Sequence, residues 1–94
     1  MINHVILLQP KPETTESELA AVFKQIEQMQ EQIAGIIHIT TGKNLSNYNK
    51  GYTHGFIVQF ASEEFFRGYA PHPAHKPVSD ELQRICQNII DFDL

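Results

Sequence analysis

Apolar positions in this chain alternate with polar ones in some stretches and recur every three or four residues in others, and the changes of period mark its elements. Ile2 to Leu8 (INHVILL) reads as a strand, stopped by Pro10 and Pro12, which have no amide hydrogen to give a ladder. Thr15 and Glu18 stand at capping-box spacing, where a hydroxyl and a carboxylate satisfy free amides of a helix's first turn. Leu19, Val22, Phe23, Ile26, Met29 and Ile33 then form one stripe on a helix ending near Gly35, and glutamine and glutamate fill its solvated side. Ile36 to Thr41 is β-branched and short, a second strand. Gly42 to Gly51 is a loop whose Asn44, Asn47 and Asn49 suit backbone turns, and Tyr52 to Ala61 is a third strand. Ser62 caps a short helix through Tyr69, and Pro71 and Pro73 break it. A last helix starts near His75, with Val78, Leu82, Ile85, Cys86 and Ile89 at helical spacing, and the closing DFDL is a fourth strand.

The order β-α-β-β-α-β is the ferredoxin-like arrangement of the α+β class, an antiparallel sheet with helices on one face. The other face poses a problem. His4, Ile6 and Leu8 point one way in the first strand, and Val5 and Leu7 point the other; Ile37 and Ile39 likewise oppose Ile36 and His38. A sheet with one wet face alternates with polar residues instead. A partner subunit is therefore expected to cover the second face, most simply in a homodimer formed by sheet-to-sheet packing.

Composition narrows the classes of function. Ninety-four residues make one domain, 1–94, and a 41% apolar, 19% charged composition is that of a globular protein. Seven Lys and Arg in a chain of net charge −4 form no basic stripe, which argues against nucleic acid as a partner. Val5 to Leu8 is the longest aliphatic run, far too short for a membrane span, and the amino-terminal residues lack the pattern of a signal peptide. A cytoplasmic protein is the expectation. Cys86 is alone and reads as a small apolar filler.

Candidate chemistry concentrates in YAPHPAHKP, residues 69 to 77, the densest group of aromatic and imidazole side chains in the chain. Strand parity adds to it. His4, Ile6 and Leu8 share one face, His54, Phe56, Val58 and Phe60 share another, and both histidines are expected to converge under the helices. Phe23, Ile26, Tyr69 and His75 would come from the helices above, giving an apolar cavity with few polar groups. A neutral imidazole suits proton removal next to a carbonyl, and a phenol O–H suits the enolate oxygen that results. Equally, His4 and His54 suit a satisfied core role, and HPAH suits a stiff connection in which His75 bonds helix-terminal groups. His72 and His75 have a spacing usable for metal, but no carboxylate or thiol is near them in sequence, so no metal is expected. Lys76 would favour an acidic ligand at a pocket mouth.

The segments HVILL, AGI, GKN, GYTHG, YAPHPAH and DFD, in this order from His4 to Asp93, resemble the stress-responsive dimeric α+β barrel (Dabb) domain family. The resemblance implies that two ferredoxin-like sheets close into a barrel across a dimer. Most members have no assigned reaction. One plant member is a polyketide cyclase that closes an aromatic ring by aldol condensation. Its catalytic Tyr and His match Tyr69 and His75, and pocket histidines match His4 and His54. Two functions therefore stand open. One is a dimeric domain of unassigned activity with a pocket for a small apolar ligand, in which His72 joins the wall. The other is a cofactor-free enzyme acting on a β-keto ligand, with His75 as base and Tyr69 as hydrogen-bond donor. Val78 stands where many members carry an aromatic residue, and Phe23, Phe56 and Phe60 are bulky enough to fill a pocket.

Overall fold

The computed structural model describes residues 1–94. Its elements are β1 (Ile2–Pro10), α1 (Glu16–Gln32), β2 (Ile36–Lys43), β3 (His54–Phe60), α2 (Glu63–Arg67), α3 (His75–Ile85) and β4 (Cys86–Asp93). The strands form one sheet in the order β2-β3-β1-β4, antiparallel throughout. The fold is ferredoxin-like, with helices packed on one face of the sheet. No helix is long and apolar enough to cross a membrane.

Local chemistry explains the first layer. Thr15 Oγ1 accepts from Glu18 N at 3.1 Å and Glu18 Oε1 accepts from Thr15 N at 3.0 Å, the reciprocal capping box that starts α1. Leu19, Val22, Ile26 and Met29 are buried along α1, against Leu8, Val58 and Phe60 of the sheet. Each such side chain stabilises the fold by about 1.5–3 kcal/mol when fully buried. The chain leaves α1 through Gly35 at φ +89°, where an added Cβ would fall within the Phe65 ring. Only glycine satisfies both conditions.

Three details depart from the sequence expectation. In β2, Ile36 pairs with Phe60 and His38 with Gln59, so Ile37 is an extra, bulged residue. The bulge resets parity, and Ile36 and Ile39 share the buried face while Ile37 and His38 are exposed. Strand β1 runs on to Pro10, which pairs with Cys86 where the β1–β4 register shifts, a place where proline's missing donor costs least. Finally, the last helix stops at Ile85, and Cys86 and Ile89 belong to β4. Helical spacing continues past that point, but the free edge of β1 and the β-branched Ile89 and Ile90 favour a ladder.

The open face of the sheet carries Val5 and Leu7 half-buried, with Ile57, Ile90 and Phe92 exposed at 40%, 44% and 47%. The strand register sets these side by side, Val5 between Ile57 and Phe92 and Leu7 beside Ile90.

Replacing Gly35 by alanine should lower unfolding stability by about 1–3 kcal/mol, the range for a side chain forced to positive φ. Urea titration reads this directly. An unchanged midpoint would mean the turn tolerates a Cβ.

Candidate active site

Register builds the floor of the site. On the helix side of the sheet, Val58, His4 and Asp93 form one row across β3, β1 and β4, and Phe56, Ile6 and Asp91 form the next. The roof comes from the segment between α2 and α3. The Phe66 carbonyl accepts from Tyr69 N, that of Tyr69 from His72 N, and that of His72 from His75 N, three linked turns at 3.0–3.2 Å. Proline at 71 and 73 is compatible with these turns, and Pro77 lies in the first turn of α3, where its missing amide hydrogen is no loss. Between floor and roof lies a cavity of about 760 Å³. His4, Ile6 and Phe56 line it from below, Tyr69, His75 and Leu82 from above, and it opens along exposed β4.

The polar groups in this cavity are held in specific states. The Asp93 carboxylate accepts from His4 Nδ1 at 2.5 Å, and the Ala70 carbonyl accepts from His75 Nδ1 at 3.2 Å. Both imidazoles thus keep Nε2 as the free nitrogen. Tyr69 stands between them, its ring centroid 4.4 Å from that of His75 and 5.5 Å from that of His4. Tyr69 is only 3% exposed, yet none of the side-chain hydrogen bonds involves its hydroxyl. The hydroxyl oxygen itself keeps access to the cavity that Tyr69 lines, so it is free to bond something there. Burial pushes the Tyr69 phenol well above its ordinary range, which keeps it a proton donor in hydrogen bonds and never a phenolate near neutrality. His75 shifts the other way. Burial lowers it, the neighbouring His4 lowers it further, and the Ala70 carbonyl opposes them. His75 is therefore a neutral base at pH 7. The same burial raises the Cys86 thiol, leaving Cys86 a protonated wall residue, not a nucleophile.

Several residues expected at the pocket stand elsewhere. Register pairs His54 with Leu8 and His4 with Val58, so the two histidines lie four residues apart along β1, roughly 13 Å. They share a face but do not converge. His54 instead packs beside Phe23 at 6.0 Å between ring centroids, with Nδ1 bonded to Thr53 Oγ1 at 2.8 Å and Nε2 unpartnered. Leu8 and Ile26 are completely buried in the core under α1, away from the cavity, and Phe23 packs at the same end. His72 accepts at Nδ1 from Ala74 N at 3.0 Å and braces the turn that presents Tyr69 and His75. Lys76 bonds Asp80 at 3.0 Å on the outer side of α3 and is not on the cavity wall.

Two site residues had no place in the sequence expectation, Asp91 and Asp93. With His4 they bring one imidazole and two carboxylates within 4.8 Å of one another, the only such cluster of metal-ligand type. Its signal was present in IIDFD. Once that segment is a strand, its apolar Ile90 and Phe92 face away from the helices and its carboxylates face toward them. That inversion is the mark of a strand whose helix side borders open space.

The chain belongs to the Dabb family, the stress responsive A/B barrel domain, whose sequence profile matches residues 2–94. It is 32% identical to olivetolic acid cyclase of Cannabis sativa over 98% of this chain and 93% of that protein. It superposes on the crystal structure of an Arabidopsis thaliana protein with a TM-score of 0.93 at 25% identity, covering 100% of this chain and 93% of the other. A Jannaschia protein described as a dimeric ferredoxin-like protein of unknown function matches with a TM-score of 0.87 at 22% identity, over 99% and 96% of the two chains, a likeness of fold alone.

The lowered basicity of His75 has a definite sign. As pH falls, the unfolded chain takes up this proton before the folded one does. Stability from the neutral ring is complete above the unfolded value of about 6.5 and is lost as pH falls toward the folded value. Proton NMR of the ring should show His75 titrating below that value, and His4→Gln should raise its midpoint. A midpoint at or above 6.5 in the wild type would contradict the assignment.

Proposed function

We propose that this Dabb domain binds a small, largely apolar carbonyl compound and moves a proton next to the carbonyl without a cofactor. The single observation that carries this reading is the unpartnered hydroxyl of the otherwise buried Tyr69, open to the cavity and beside the neutral His75. His75 Nε2 removes a proton from the carbon between two carbonyls, and Tyr69 O–H stabilises the enolate oxygen. The enolate carbon then attacks a further, more distant carbonyl of the same chain, closing a ring, and His75 returns its proton to the new alkoxide. Positioned base catalysis typically contributes about 10²- to 10⁴-fold in rate, and the enclosure adds orientation. A cyclase among the relatives supports ring closure as the first reaction to try. His4, Ile6 and Phe56 supply the substrate's floor. Leu8, Phe23, Ile26, His54 and His72 act through packing and through the turn.

The functional unit in this proposal is a homodimer, with the open faces of two sheets packed together. Ile57, Ile90 and Phe92 are the apolar side chains that such packing removes from water. The Jannaschia neighbour, described as dimeric, supports it.

Two experiments test these statements. With a linear poly-β-ketone thioester as substrate, Tyr69→Phe and His75→Gln should each lower turnover by about 10²-fold or more while circular dichroism and melting stay near wild type. Full activity in either variant rejects the assignment of roles. Separately, Phe92→Asp should shift sedimentation from dimer to monomer; a dimer as tight as wild type places the interface elsewhere.

A further inference from the structure

We infer that the carbonyl compound this cavity takes also carries a positive charge, a protonated amine set against Asp91. The inference rests on the cavity being the ligand site, as proposed above, and names the class of ligand it takes.

Charge on the wall is unevenly satisfied. Arg67, the one permanent cation there, is paired with Glu63, its Nε donating to Oε2 at 3.0 Å and its Nη2 2.9 Å from the same oxygen. Asp93 is bound to His4. Asp91 has no ion pair and no side-chain hydrogen bond, and it is a lining residue. Lys76, the cation nearest to the motif in sequence, is turned away to Asp80. An anionic ligand would thus meet an unpaired like charge and no free cation, whereas a cationic one would meet an unpaired opposite charge.

Register supplies the geometry. Phe56, Ile6 and Asp91 are successive partners across β3, β1 and β4, so the row runs roughly 10 Å from an aromatic through an aliphatic to a carboxylate. A flat bicyclic ring with a one-carbon arm spans it, ring on Phe56 and Ile6, nitrogen at Asp91. The Tyr69 hydroxyl, open to the cavity and without a protein partner although the residue is otherwise buried, is an independent sign that this space receives a polar ligand atom. A neutral His75 beside it adds no repelling charge.

The test uses three isosteric probes at pH 7 with EDTA present: 2-naphthylmethylamine, 2-naphthylmethanol and 2-naphthoic acid. Binding is followed by NMR shifts of Ile6 and Phe56 in the intact protein. The amine should bind about five- to tenfold tighter than the alcohol, and the acid most weakly. Asp91→Asn, an exposed edge-strand change, should erase the difference between amine and alcohol. The inference is overturned if wild type binds amine and alcohol equally, or if Asp91→Asn keeps the amine's advantage. Should none of the three move Ile6 or Phe56, the cavity itself is not the ligand site, and both proposals fall together.

Discussion

The pairing of β4 with the edge of β1 is the constraint on which the site depends. Because α3 runs into β4 at Cys86 with no loop, the direction of the helix fixes where the strand begins, and the ladder from Gln9↔Asn88 to His4↔Asp93 fixes the rest. A slip of one residue would turn every side chain over. Phe92 and Ile90 would then enter the cavity, and Asp91 and Asp93 would face the open side of the sheet. The observed register does the opposite, and it delivers a carboxylate to His4 at 2.5 Å.

That hydrogen bond and the one from His75 to Ala70 have the same effect. Each occupies Nδ1 and leaves Nε2 free, and each belongs to a ring within 5.5 Å of the Tyr69 ring. The raised phenol and the lowered basicity of His75 have a common cause, burial, which disfavours the charged form of each. A neutral base and a neutral donor are the forms that proton transfer next to a carbonyl requires. Geometry and electrostatics therefore favour the same division of roles.

Much of this was legible in the sequence because it is local. The Thr15–Glu18 cap, the α1 stripe and the parity of His4–Ile6–Leu8 and His54–Phe56–Val58–Phe60 depend on neighbours a few residues apart, and the structure has them as read. Membership in the Dabb family was legible too, from GYTHG and YAPHPAH. What depends on pairing between distant strands was not. Parity places His4 and His54 on one face, but only register shows them four residues apart. The bulge at Ile37 breaks parity with no glycine or proline to announce it. Periodicity also carried the last helix past Ile85, since Cys86 and Ile89 fit a helix as well as a strand. Although DFDL reads as a strand, only its pairing with β1 shows that its carboxylates face the helices.

The arrangement of the two imidazoles about the phenol is the central claim, and long-range proton–nitrogen NMR of ¹⁵N-histidine protein tests it most directly. At alkaline pH, His4 and His75 should each show a protonated Nδ1 and an unprotonated Nε2. A proton on Nε2 of His75 would take away the free base and contradict the account.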